Sequence, residues 1–382
     1  LKILYHHRTK SRDGQYIHIR SLIDAFNKAG HHVEEMGLTA TRSGKGQEES
    51  RFWNGFVDFI PRWVMELLEY FYSLPAALWL WVKIVRRRPD FIYERYALGN
   101  FAGVLAARLS GLPLLLEVNS PLALEKRDTG QLQYGALARL SERLILKMAT
   151  RILVVSKVLK QIYVDQGIDA DKIVVIPNGI DPEHYRSVNG VNLRTKFGLE
   201  HAVVVGFVGF FREWHKLERV LEVLAKDLED LNMKLLLVGD GPVREDLERK
   251  VDALGLADRV IWTGTVRHRD VPDMLSAVDI ALQPEVTTYS SPLKLFDYMA
   301  AGKAIVAPRR ANITEILRDG ETGLLFEPDC QRAMGEALRR LACDPGLRQR
   351  LGEAARRDLY EGDYTWDSNA KRVVRLLDEA VA

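Results

Sequence analysis

Residues 203–216 read "VVVGFVGFFREWHK". Val203 through Gly209 form an apolar, β-branched run with no polar position on either face, the mark of a strand covered on both sides. At Gly209 the run breaks, and Arg212, His215 and Lys216 follow it. A strand buried on both faces needs helices above and below, so the stretch points to a parallel sheet in a layered α/β domain. Ligands of such sheets bind beyond the carboxyl ends of the strands, where these three basic residues fall.

The same grammar extends in both directions. Downstream, "KLLLVGD" (234–240), "VIWTGT" (260–265), "IALQP" (280–284), "AIVAP" (304–308) and "GLLFEP" (323–328) alternate with helical patterns. Upstream, "KILYHH" (2–7), "HVEEMG" (32–37), "FIYERY" (91–96), "LLLEVN" (114–119), "RILVVS" (151–156) and "IVVIPN" (173–178) do likewise. Between the first two, Ile17, Leu22, Ile23 and Phe26 share one helical face that Gly30 closes. The chain therefore reads as two doubly wound, Rossmann-like α/β domains facing a central cleft. The Pro/Gly/Asn-rich stretch 177–190 is the junction, with one domain at 1–183 and the other at 184–366. Residues 367–382 make a final amphipathic helix with no strand after it.

Bulk properties fit this frame. The length of 382 residues suits two domains, and 47% hydrophobic with 28% charged residues describes a well-cored globular chain. A net charge of +2 gives no overall field for nucleic acid, so no nucleic-acid partner is expected. Two cysteines, Cys330 and Cys343, form no framework and suit a reducing compartment. The opening "LKILYHH" shows no secretory pattern, so the expected location is the cytoplasm.

Residues 51–90 are crowded with Trp, Phe and Tyr and end in Lys83, Arg86, Arg87 and Arg88. The longest uncharged run, Tyr70 to Val82, is 13 residues and contains Pro75, too short for the roughly 20 residues that span a bilayer. Two readings stand. One is a pair of amphipathic helices packed on a sheet. The other, over 52–88, is a surface that lies against the inner face of a membrane with aromatic rings at headgroup depth.

Several strand-end loops have the makings of an anion site. In "YSSPLKLFDYMAAGK" (289–303), Ser291 is the expected N-cap and Pro292 the first helical residue. The amides of Leu293 and Lys294 then face outward from a positive helix end. Leu293, Phe296 and Ala300 are expected inward, with Ser290, Lys294 and Asp297 on another face. Asp297 would accept from sugar hydroxyls. The plain alternative is a capped helix with a solvated Lys/Asp pair. Gly209, then Gly239 and Gly241, then Gly264 with Arg267 mark further strand ends, and Gly14 sits in the first strand-to-helix turn. No G-x-G-x-x-G follows the first strand, and no Walker loop, metal-ligand spacing or G-x-S-x-G elbow is present. No metal or other cofactor is expected.

The chain resembles a family 4 glycosyltransferase of the two-Rossmann-domain GT-B type. The likeness rests on "VIPNGID" (175–181), "VGDGP" (238–242), "WTGTV" (262–266), "SPLKLFDYMAAGKAIVA" (291–307), "ITEILRDGETGLLF" (313–326) and "YTW" (364–366). It implies transfer, with retention, from a nucleotide-diphosphate sugar to a glycan or lipid-linked acceptor in cell-surface polysaccharide or glycoconjugate synthesis. It implies a donor-binding second domain, an acceptor-binding first domain, and a final helix that returns to the first. The family's E-x7-E pair puts its second acid on Asp297, while Tyr289 stands where the first would be and Glu285 lies nearby. Its diphosphate-gripping Arg and Lys correspond to Phe210 and His215, so Arg212 with His215 or Lys216 takes that task and Lys294 shares the charge. Base contacts fall on the backbone around Val266 and Arg267. Asn119 beside Glu117 is placed near the donor sugar, unless both cap a turn, and Glu94 and Arg95 meet acceptor or phosphate, or each other. The competing readings are a catalytically silent nucleotide-sugar-binding subunit and a sugar-nucleotide epimerase.

Overall fold

The computed structural model describes residues 1–9, 14–37, 62–186 and 193–381, so residues 51–61 of the aromatic stretch, 10–13 of the first strand-to-helix turn and 187–190 of the junction lie outside them. The chain divides into two compact units, one of Leu1–Ile176 with Asn369–Ala382 and one of Pro177–Ser368.

In the first unit the strands are β1 (Lys2–His7), β2 (His32–Gly37), β3 (Phe91–Arg95), β4 (Leu114–Val118), β5 (Arg151–Val154) and β6 (Ile173–Val175). They form one sheet in the order β2-β1-β3-β4-β5-β6, with every pairing parallel. The second unit holds β7 (Val203–Val208), β8 (Met233–Val238), β9 (Val260–Gly264), β10 (Ile280–Leu282), β11 (Ala304–Pro308) and β12 (Leu324–Phe326). Its order is β12-β11-β10-β7-β8-β9, again all parallel. Each of these strands falls on a run singled out in the sequence, with β8 starting one residue earlier, at Met233.

The stretch at 203–209 shows why. Val205 and Phe207 of β7 enter one apolar cluster with Leu235, Leu237, Ile280 and Leu282, while Val204 and Val208 enter a second with Leu236, Val238 and Ala281. Alternate side chains of each strand thus feed cores on opposite faces, which is what a run without polar positions requires. Strand order reverses where β7 lies between β8 and β10, and the crevice at such a reversal is where open sheets hold ligands.

The helices Arg62–Phe71 and Ser73–Arg87 occupy the described part of the aromatic stretch. The last helix, Trp366–Val381, begins in the second unit, and its residues from Asn369 onward belong to the first.

Candidate functional site

In the second unit the loops after β7 and β8 interlock through glycine. Gly209 and Gly239 have φ of +143° and +132°, and a Cβ on Gly239 would lie 2.0 Å from the Gly209 carbonyl oxygen. Only glycine permits both that conformation and that approach. The Gly209 amide donates to the Val238 carbonyl at 2.9 Å, and that of Phe211 to Asp240 at 2.8 Å. Gly241 is equally constrained, since a Cβ there would fall 2.3 Å from the Phe211 carbonyl oxygen.

Over this junction lies Lys294, from the first turn of the helix Leu293–Ala300. Its Nζ sits 3.9 Å from the centre of the Phe207 ring and 3.1 Å from His215 Nε2. A Cβ on Gly209 would approach that Nζ to 3.1 Å, so the glycine leaves room for the ammonium. Burial lowers the lysine pKa to about 7, against a smaller opposing pull from Asp297. His215 is held well below its ordinary pKa by burial first, then by the charges of Lys294 and Arg212, and is neutral. No carboxylate lies within ion-pair distance of Lys294 among the described residues. Lys294 is therefore an amine that titrates near neutrality in a confined, partly apolar place, where an arriving anion would favour its charged form.

Arg212 stacks its guanidinium on Phe210 at 4.6 Å and on Trp214 at 5.3 Å, two largely exposed rings. Lys216 adopts a left-handed conformation, φ 52°, at the start of the helix Leu217–Lys226. Val266 packs at the edge of the core, and Arg267 is paired with Asp270 at 2.7 Å. Tyr289 is half-buried and already has a partner.

The helix start differs from its sequence reading. Pro292, not Ser291, is the residue that flanks the first helical position. The buried Ser291 hydroxyl accepts from the Asn178 amide at 3.2 Å, and its carbonyl accepts from Asn178 Nδ2 at 2.6 Å. Engaged by Asn178, the serine cannot cap the helix. The amides of Leu293 and Lys294 still lack intrahelical acceptors, as first-turn amides must. Nor is the helix two-faced, because Leu295 through Ala300 are all buried while Leu293 is partly exposed.

Asp297 is buried and not part of a solvated pair. The Tyr185 hydroxyl donates to its Oδ1 at 2.6 Å, and His268 Nε2 lies 3.6 Å from the same oxygen. Burial alone would lower the His268 pKa, but hydrogen bonding to Asp297 and its charge outweigh that and raise it. Glu285 is not available to a sugar. Arg310 grips it through two bonds of 3.0 and 2.7 Å, and its Oε1 also accepts from the Val286 amide at 2.9 Å. Asn312 braces the loop before the helix by donating to the carbonyls of Thr287 and Ser290 at 3.0 and 2.7 Å.

The first unit has its own cluster at the ends of β1, β3 and β4. Glu117, 3% exposed, accepts from Tyr93 at 2.9 Å and Tyr5 at 3.3 Å, pairs with His18 at 3.1 Å, and bonds Arg95 and Asn119. Burial would raise its pKa, but His18 and Arg95 outweigh it and hold the carboxyl well below its ordinary range. Five donors converge on this one buried carboxylate, so Glu117 orients its neighbours. Asn119, half-buried beside it, is oriented by it. Glu94 and Arg95 do not pair either. Glu94 bonds His6 at 2.6 Å and Asn100 at 3.1 Å, while Arg95 serves Glu117. Gly14 opens the helix Gly14–Lys28, which carries His18 into this cluster.

Tyr185, His268, Arg310 and Asn178 are members of these constellations that sequence reasoning misses. Asn178 lies within a quoted motif, but the others have no local signal, since each meets its partner only across the fold. Among the described residues, no three His, Cys, Asp or Glu side chains gather as they would around a metal ion.

Comparison with known proteins agrees with the geometry. The model of the Glycosyltransferase Family 4 matches residues 12–184, and that of the Glycosyl transferases group 1 matches 192–358. The chain is 25% identical over 263 residues to an alpha-D-kanosaminyltransferase of Streptomyces kanamyceticus, covering 67% of this chain and 68% of that protein. It is 28% identical over 286 residues to a 2-deoxystreptamine glucosyltransferase of the same organism, covering 71% and 73%. In fold it is similar to Anabaena HepE in complex with UDP and glucose, with a TM-score of 0.74 at 16% identity over 99% of this chain and all of that one. Two family models on consecutive halves, on two doubly wound units, give one conclusion: the chain belongs to the family 4 glycosyltransferases, and it is an enzyme of that class.

Proposed function

We propose that this glycosyltransferase moves a sugar, with retention and without a metal ion, from a UDP- or GDP-linked donor to a glycan or polyprenyl-linked acceptor. The product belongs to a cell-surface polysaccharide or glycoconjugate, and the work is done at the cytoplasmic face of the membrane. The second unit takes the donor and the first the acceptor. One observation carries the reading: Lys294, with no carboxylate partner among the described residues, sits over the glycine junction beside the free amides of its own helix, at the reversal of strand order.

Expelling a nucleoside diphosphate from an anomeric carbon builds negative charge on the leaving phosphate, so preorganised positive potential there lowers the barrier. Lys294, the amides of Leu293 and Lys294, and Arg212 supply it. Asp297, pinned by Tyr185 through Oδ1, offers Oδ2 to ribose hydroxyls. A departing phosphate oxygen takes the acceptor proton on the face it leaves, so no separate base is required. HepE, which shares the fold, was crystallised with UDP and glucose, which supports a nucleotide-sugar donor.

A thermal-shift panel of UDP, GDP, ADP and their sugars identifies the donor, since a ligand that favours the native state raises Tm. The stabilising sugar nucleotide is then assayed for transfer with and without EDTA, and the anomer of the product is determined. Stabilisation by UDP or GDP, EDTA-resistant turnover and a retained anomer are expected. No stabilisation refutes the donor site, loss of activity in EDTA refutes the metal-free reading, and an inverted anomer refutes retention.

A further inference from the structure

The helix Ser73–Arg87 carries two apolar stripes where a packed surface helix needs one. Ser73, Ala76, Ala77, Leu80 and Ile84 are buried and account for its packing. Leu74, Leu78, Trp81 and Val85, spaced i, i+4, i+7 and i+11, form a second stripe on a different face, and all four are exposed, Leu74 and Leu78 by more than 60%. Phe71, 67% exposed at the end of the preceding helix, extends it.

The helix Gly135–Met148 repeats the arrangement. It buries Ala138, Ser141, Glu142, Ile145 and Leu146, and exposes Leu137, Leu140 and Leu144 at i, i+3 and i+7. Around the helix, Ser141 lies between the buried face and this leucine stripe. Its Oγ meets the Tyr70 hydroxyl at 3.4 Å, and the Glu66 carboxylate accepts from the amides of Gln133 and Tyr134 at 2.9 and 3.2 Å. The helix Arg62–Phe71 therefore ties the two stripes into one region of the first unit.

Charge on these two helices is one-sided. The first has Lys83, Arg86 and Arg87, followed by Arg88, and no acidic residue; the second exposes Arg139, Arg143 and Lys147, and its one acid, Glu142, is buried. Lys83 and Arg87 share Glu34, at 3.0 and 3.4 Å. At helical spacing Arg143 and Lys147 border the leucine stripe of the second helix, while on the first Lys83 and Arg87 lie away from the stripe and Arg86 and Arg88 are the cations without that partner. Exposed leucine and tryptophan stripes with cations on the same helices match a bilayer surface, where rings and aliphatic chains sit below the headgroups and arginines stay among anionic phosphates. No helix among the described residues is long and apolar enough to cross a membrane, so the fit is to its surface.

We infer that the helices Ser73–Arg87 and Gly135–Met148 form one docking surface for an anionic lipid bilayer. This deepens the reading of a membrane-presented acceptor and rests on it for its purpose. It extends the sequence expectation, confined to 52–88, to a second helix that the sequence did not single out.

The test is flotation of the full chain with phosphatidylcholine vesicles, with and without about 30 mol% phosphatidylglycerol, without donor or acceptor. The chain is expected to float with the anionic vesicles and at least tenfold less with the neutral ones. Leu78→Gln with Trp81→Gln should reduce capture at least tenfold, and Leu140→Gln with Leu144→Gln should reduce it independently. The replaced side chains are exposed, so an unchanged thermal melt verifies the fold. No capture by anionic vesicles, or equal capture of the variants, overturns the proposal. A dimer in sedimentation that the same substitutions dissolve also overturns it, assigning the stripes to a second copy. Donor hydrolysis by the variants is expected to be unchanged, so failure here leaves the transferase reading intact, and failure of that assay leaves this one intact.

Discussion

The ends of the two sheets hold opposite electrostatic solutions. In the first unit a buried carboxylate, Glu117, is met by Tyr5, Tyr93, His18, Arg95 and Asn119, and its charge is fully compensated from within. In the second, Lys294 meets a neutral imidazole and a phenyl ring, and its charge is compensated by no anion of the described chain. A buried charge with all its partners holds structure, while a confined charge without one is stabilised only when a ligand brings the counter-charge. The contrast separates a compensated cluster from the proposed donor site more sharply than residue type does.

Glu117→Ala should be the most damaging substitution. It strands Arg95 and His18 in a buried place, so unfolding in urea should show a loss of about 3–5 kcal/mol. A loss near zero would mean that the first cluster is no keystone. Next comes Lys294→Met, which should lower kcat/KM by about 10²–10³-fold with the urea midpoint unchanged or raised. If stability fell instead and the residual enzyme kept full activity, the lysine would belong with the structural group.

Burial lowers the Lys294 pKa to about 7, so at pH 8 the free enzyme carries it mostly neutral. An arriving diphosphate favours the charged form and raises that pKa, so binding at pH 8 should take up roughly 0.5–1 proton, and affinity should fall as pH rises above 7. Below pH 7 the lysine is already charged and uptake should vanish. Calorimetry of the stabilising nucleotide in two buffers of different ionisation enthalpy measures this, and Lys294→Met should abolish it. The smallest effect expected is from Tyr185→Phe. Removing one hydrogen bond to Asp297 should cost about 1 kcal/mol, read as a roughly fivefold rise in donor KM with kcat unchanged. A change in kcat alone would place Tyr185 outside donor binding.

Much of the scaffold is legible in the amino-acid sequence alone. The run at 203–209 announces a strand covered on both faces because each of its positions is apolar, and the other strands are legible as short, mostly apolar runs between helical patterns. Glycine at 209 and 239 marks strand ends where backbone must approach backbone. Local pattern fails at the helix start, where a well-placed Ser291 is spent on Asn178, and at Glu285, whose carboxylate is taken by Arg310. In each case a partner remote in sequence competes with the local role and wins by geometry.

The sequence by itself determined the number and kind of strands, the two doubly wound units and the family, since periodicity and motif are properties of neighbouring residues. Only the tertiary structure decided which charges are free to work. Lys294 meets His215 from 79 residues away and Asp297 meets Tyr185 from 112, and both the pKa and the availability of a side chain are set by burial and by such neighbours.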